Sequence, residues 1–297
     1  MERMLGRPVL VALLGAMCIA WSAPLVRLAE VPPTTAAVGR CLFALPVLVL
    51  VARWEDRRFG PLPARARRLS LLAGVFFAVD LVLWHHAIDA VGAGLSTVLA
   101  NLQVVLVAAL AWWLLGERPR AGLLAAIPVL LLGVALVSGA LGGATYGRDP
   151  QLGVLLGLGT SLAYALFLLV LRQGSKDLRR IAGPLMWATA SATGASLLIG
   201  IPLGEVVRPD AAAIGWLVLL ALSSQVVGWL LIAGSLPRLP AAVTSVLLLA
   251  QPLGSLVISG VVLGEAPTPV QYAGAACILA GVLMATAGRR VRAPVPA

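Results

Sequence analysis

The sequence predicts an all-α membrane protein of ten transmembrane helices, arranged as two inverted-topology five-helix repeats. Three observations predict it. Only 11% of the 297 residues are charged and 60% are hydrophobic, with a mean hydropathy of +1.00. The basic residues gather in every second segment between apolar stretches. A stretch beginning at Ala93 reappears at Ala241 in ungapped register.

A soluble domain carries about 25% charged residues, and 11% cannot cover a water-facing surface. A spanning helix needs about 20 mostly apolar residues. Ten such segments run over 8–29, 34–52, 70–89, 93–115, 121–140, 151–171, 183–203, 212–234, 241–263 and 269–288. Proline and glycine mark the joints, as at Pro32-Pro33, Gly60-Pro61, Gly142-Gly143 and Pro267. Prolines inside segments (Pro24, Pro46, Pro128, Pro252) are tolerated where neighbouring helices satisfy the freed carbonyl. Arg3 and Arg7 ahead of an apolar run imitate a secretory leader, but the run continues to Ala29, and an uncleaved first helix is expected.

The charges set orientation. With the N-terminus in the cytoplasm, cytoplasmic segments hold 18 of the 22 basic residues, six of them in the loop after the second segment. Arg148 and Arg208 fall outside, and Arg27 and Arg40 lie within helices. This meets the positive-inside rule and places both ends in the cytoplasm of a cell bounded by this inner membrane. The net charge of +10 then reflects topology and anionic lipid, not nucleic acid, because base-stacking aromatics interleaved with basic residues are absent. The expected partners are the lipid bilayer and a small-molecule substrate, with the chain a monomer or weak homodimer.

At a shift of 148 residues, AGLSTVLANLQVVLVAALAWWLLGERP (93–119) lies over AAVTSVLLLAQPLGSLVISGVVLGEAP (241–267). Gln103/Gln251, Leu115/Leu263, Gly116/Gly264, Glu117/Glu265 and Pro119/Pro267 are identical. Segments four and nine are therefore equivalent, and their separation by five helices gives the halves opposite topology. The predicted units are 8–140, 151–288 and a basic tail, 289–297.

Ten helices, the duplicated Leu-Gly-Glu after a Gln-bearing helix, WSAPLVRLAE before PPTTAAVGR, and Arg40 together resemble the drug/metabolite transporter superfamily, in its EamA type. The resemblance covers nearly the whole chain. It implies a carrier of small metabolites, often amino acids, their relatives or toxic compounds, and often an exporter. Many relatives carry Asn before the serine of the first helix, where this chain has Trp21 ahead of Ser22. Relatives that carry sugar nucleotides or triose phosphates usually offer a central basic residue, and the absence of any intramembrane lysine disfavours those substrates.

A charge at the bilayer centre costs roughly 2.5–3.5 kcal/mol on insertion scales and needs a partner or water. Asp80 sits at the middle of segment three with Trp84 one turn on, and Arg40 sits in segment two. Either both face a central cavity, where Asp80 binds a proton or a substrate amine, or they form a buried pair that only fixes packing. His85 and His86, the only histidines, occupy the outer half of segment three as proton-relay candidates, His85 one turn from Asp89. Gln103, Gln225 and Gln251 are mid-membrane amides suited to a polar substrate or to interhelical contacts. Trp21, Trp84, Tyr164, Trp187 and Trp229 are candidate cavity walls. Glu117 and Glu265 end their helices at Pro-turns and read as structural or gating groups.

The cysteines Cys18, Cys41 and Cys277 have no zinc or disulfide spacing. No DDxxD, HExxH, GxSxG or Walker motif occurs, so no metal, cofactor, catalytic residue or ATP-driven step is expected. A secondary transporter is the leading expectation, with an uncoupled facilitator on the same fold as the alternative and a membrane-embedded enzyme behind both.

Overall fold

The computed structural model describes residues 7–91, 99–137, 149–263 and 268–286, and among these every regular element is a helix. In chain order they are α1 (Pro8–Ala20), α2 (Ser22–Ala29), α3 (Pro33–Phe59), α4 (Ala64–Val91), α5 (Gln103–Leu115), α6 (Ala121–Val137), α7 (Pro150–Gly174) and α8 (Ala182–Gly200). Then come α9 (Ala211–Leu220), a π-helical stretch (Ala221–Gly228), α10 (Trp229–Ser235), a 3₁₀ turn (Leu236–Arg238), α11 (Ala241–Leu248), α12 (Ala250–Leu263) and α13 (Pro269–Thr286). By length and apolarity, four continuous helical stretches among the described residues suffice to cross a membrane: Pro8–Ala29, Pro33–Phe59, Gln151–Gly174 and Ala211–Arg238. Shorter apolar helices accompany them.

Three predicted segments are interrupted. The first bends at Trp21, where Pro24 cannot donate to the Ala20 carbonyl. The ninth breaks at Leu249, where Pro252 likewise frees the Leu248 carbonyl. The fourth breaks at Leu102, whose N–H turns back to Leu99 in a tighter bond, although no proline is nearby. The second and third breaks match in the repeat to within one residue: Leu249 stands two residues before Gln251, and Leu102 stands immediately before Gln103. The eighth segment continues through its middle but widens into the π-helical stretch, which carries Ser223, Ser224 and Gln225. Such π segments commonly mark functional positions.

Polar knots gather the chain at two ends. At the arginine-rich end, Glu55 of α3 accepts the N–H groups of Ile181, Ala182 and Gly183, opening α8. There too Arg172 pairs with Glu117 at 2.6 Å and donates to the Leu236 carbonyl, while Glu117 accepts the N–H of Ala241. So α5 runs toward this end and α11 leaves it. At the opposite end Thr34 and Thr35 of α3 bond to Glu205 beyond α8, and the Asp149 N–H reaches the Ala90 carbonyl.

Between the ends, α4 packs along α7, α3 along α8, and α6 along α13. The last contact is reciprocal. A Cβ at Gly133 would lie 2.8 Å from the Ile278 side chain, and one at Gly281 would lie 2.5 Å from that of Leu130. Leu130/Ile278 and Gly133/Gly281 are both related by the 148-residue shift. Each glycine is thus the hole for the other repeat's knob. The largest core cluster surrounds Phe77, Phe167 and Trp229, where α4, α7 and α10 meet α3 and α8.

Candidate functional site

Arg40 projects from α3 beside the π-helical stretch. Its Nε donates to Gln225 Oε1 at 2.9 Å, and Gln225 Nε2 donates to Thr189 Oγ1 at 3.0 Å. The guanidinium lies 5.5 Å from the centre of the Phe77 ring, within cation–π range. Asp80 is buried one turn from Phe77 and within electrostatic range of Arg40 and Tyr164. Of the two alternatives for Asp80 and Arg40, the direct pair is not formed: among the described residues no ion pair joins them, and Arg40 takes Gln225 as its hydrogen-bond partner. The wider turns of the π helix bring that amide to it.

Beside this polar row stands an aromatic wall. Phe77 stacks on Phe167 at 4.6 Å, and Trp229 meets Phe167 edge-on at 4.8 Å and Tyr164 at 6.5 Å. Tyr164 faces Gln251. The buried polar atoms without a hydrogen-bond partner among the described residues include three on residues the sequence marks as site candidates: Gln103 Oε1, Gln251 Nε2 and Trp229 Nε1. A buried orphan of this kind costs about 1–3 kcal/mol. Two of the three belong to the repeat-equivalent glutamines at the helix breaks.

Ser22 Oγ donates to Ser224 Oγ at 3.0 Å, and Ser224 donates to the Cys18 carbonyl at 3.2 Å, so Ser22 ties α2 to the π-helical stretch. Trp21 is 39% exposed at the bend between α1 and α2, and Trp84 is half-buried on α4. Trp187 does not join the wall: Arg67 lies 5.7 Å above its ring, which places it toward the arginine-rich end.

His86 is at the opposite end, its Nδ1 2.8 Å from the Val82 carbonyl and its Nε2 3.3 Å from Glu205 Oε1. The side chains of His85 and Asp89, and the whole of Glu265, lie outside the described residues. Glu117 has the contacts its Pro-turn position predicts, to Arg172 and to the Ala241 N–H. It also lines two concavities at the arginine-rich end. One, of about 270 Å³, is shared with Arg172, Gln173 and Lys176; the other, of about 340 Å³, with Arg118, Arg120 and Arg238. In the nearby loop, the Arg179 guanidinium hydrogen-bonded to Asp177 holds that carboxyl below the usual carboxylate range.

Sequence reasoning missed Glu55, Glu205 and Thr189. The two glutamates could have been found, because each follows the second segment of its repeat by a few residues. Thr189 had no signal beyond being one of many small polar residues.

Apolar helices, an interrupted pair of equivalent helices and buried polar groups at the breaks define a multi-pass membrane protein with a polar interior. The EamA-like transporter family matches twice, over residues 6–139 and 151–287, and the chain belongs to that family. It is accordingly a membrane transporter of small substrates, in a family of carriers and not of enzymes. A solved crystal structure matches the fold with a TM-score of 0.78 at 18% identity, covering 94% of this chain and 96% of the other. No curated protein matches.

Proposed function

We propose that this chain is a secondary transporter of ten transmembrane helices in two inverted repeats. It exports a small metabolite, such as an amino acid or a related or toxic compound, across the cytoplasmic membrane. Both termini are cytoplasmic, and the halves rock about a mid-membrane site. The observation that carries this reading is the pair of unsatisfied atoms on repeat-equivalent amides at the helix breaks, Gln103 Oε1 and Gln251 Nε2, with Gln251 facing Tyr164, which lies within electrostatic range of buried Asp80 and of Arg40. Broken helices near the midplane are where carriers of inverted-repeat design bind their cargo. The reciprocal Gly133–Ile278 and Gly281–Leu130 contacts support a two-fold relation between the halves.

Arg40 keeps its terminal guanidinium nitrogens for a carboxylate, and Asp80 answers an amine or takes a proton. The aromatic wall receives the apolar part of the cargo. Proton coupling through Asp80 is tested with a panel of radiolabelled amino acids and toxic amines in proteoliposomes, with and without an imposed pH gradient. Asp80→Asn is expected to keep exchange and lose gradient-driven accumulation. Gradient-driven accumulation at the wild-type level in Asp80→Asn would refute the coupling role. Wild-type flux that ignores the gradient would make the protein a facilitator.

A further inference from the structure

The two carboxylates that tie α3 to α8, one at each end, have different donors. At the arginine-rich end Glu55 accepts three backbone N–H groups, which never titrate. At the opposite end Glu205 accepts the Thr34 hydroxyl on Oε2, its backbone carbonyl accepts Thr35 Oγ1 at 2.7 Å, and its Oε1 faces His86. Here the donor is an imidazole.

The proton count at His86 follows from its two neighbours. Nδ1 is 2.8 Å from the Val82 carbonyl, which can only accept, so Nδ1 carries a proton. A neutral imidazole then presents a lone pair on Nε2, and that lone pair would point at a carboxylate oxygen 3.3 Å away. Two acceptors repel. The contact is attractive only when one more proton is held, making an imidazolium–carboxylate pair or a protonated Glu205. The other charged groups with described side chains on the elements around this end are Arg27, Glu30, Asp149, Arg208 and Asp210, and Asp89, one turn beyond His86 on α4, has its side chain outside the described residues. Asp149 and Asp210 are engaged in capping α7 and α9 through the N–H groups of Leu152 and Ala213. The histidine is about one-third exposed, so protons reach it from that side of the protein.

We infer that His86 and Glu205 form a proton-binding site that latches the outer end of α4 to the α3–α8 pair, so that outer closure, unlike closure at the arginine-rich end, requires a bound proton. The assignment of this end as outer rests on the transporter reading above. The proton site itself does not.

Two measurements on the full-length protein test this without a known substrate. First, with His85→Gln leaving a single histidine, ¹⁵N-histidine NMR reads the tautomer. The neutral ring is expected to carry its proton on Nδ1, the minor form of a free imidazole, and Nε2 is expected to gain a proton on acidification. A neutral ring protonated on Nε2 would overturn the proposal. Second, Ala87, fully buried beside His86, is replaced by cysteine in a background lacking the three native cysteines. Its reaction with a membrane-impermeant thiol reagent is normalised to an Arg208→Cys control. If loss of the bound proton opens the latch, labelling should rise at least about threefold between pH 5.5 and pH 8. His86→Gln should follow whichever rate its amide orientation sets, but without pH dependence. Glu205→Gln should stay slow throughout, because its amide can donate to the neutral Nε2. An equal pH response in the parent and both variants would overturn the latch even if the NMR result held. Gradient-driven accumulation at the wild-type level in Asp80→Asn, which refutes the coupling role, leaves both measurements untouched, so failure of the transport reading is distinguishable.

Discussion

Removing the Glu55 carboxylate tests whether a single side chain closes the arginine-rich end. Glu55 is 5% exposed and accepts N–H groups at 2.9, 2.9 and 2.8 Å from the residues that open α8. Helix starts leave such donors without intrahelical partners, and the helix dipole adds to their attraction for an anion. An ordinary cap is worth about 1 kcal/mol, and hydrogen bonds to charged groups are worth about 1.5–3 kcal/mol. Water at the membrane surface recovers part of the loss, so Glu55→Ala should cost about 2–4 kcal/mol. At about 2 °C per kcal/mol for a chain of this size, the midpoint of thermal unfolding in detergent should fall by about 4–8 °C. Glu55→Gln, which keeps one acceptor and loses the charge, should fall between. Thermal unfolding followed by thiol-dye reaction with buried Cys41 reads both. A fall of less than about 1 °C in Glu55→Ala would refute the reasoning.

Other outcomes follow from the same geometry. Gly133→Ala should destabilise by about 1–3 kcal/mol through overpacking, because its Cβ would meet the Ile278 side chain and the Gly274 carbonyl at 2.8 and 2.9 Å. Gly194→Ala, with nothing within 4 Å, should be neutral or stabilising, as helix propensity alone dictates, and the two are compared by the same melting assay. Asp177 is held below the usual carboxylate range by Arg179, so it stabilises the fold above its unfolded value of about 3.9. That contribution is lost as pH falls below about 4 through the depressed folded value. As the pair is solvent-exposed, it should amount to less than about 1 kcal/mol, and Asp177→Asn should remove that part of the acid dependence in melts between pH 5 and pH 3.

Much of the site was legible because membrane burial makes polar residues conspicuous. Asp80, Arg40, Gln103, Gln225 and Gln251 stand out against apolar neighbours, and the structure brings Arg40 to Gln225 and leaves Gln103 and Gln251 each with an unsatisfied atom. Arg40's partner was not legible. The nearest opposite charge in an apolar stretch is Asp80, but the π-helical widening of segment eight is invisible to a pattern built on regular turns. Trp187 was placed in the wall by composition, whereas its position on α8 puts it under Arg67. Glu55 and Glu205 were overlooked because carboxylates at helix ends look like ordinary surface charge until the N–H groups or hydroxyls they accept from are in place.

Sequence by itself determined where the helices lie, which ends are basic, and that the second half repeats the first. These follow from apolar run length, charge placement and register, all of which are local or can be read along one dimension. Only the tertiary structure decided the partners: Gln225 for Arg40, Glu205 for His86, and Glu55 for the start of α8. Each joins groups 119 or more residues apart in the chain, and the helices that carry them meet through small-residue packing whose geometry no single segment encodes.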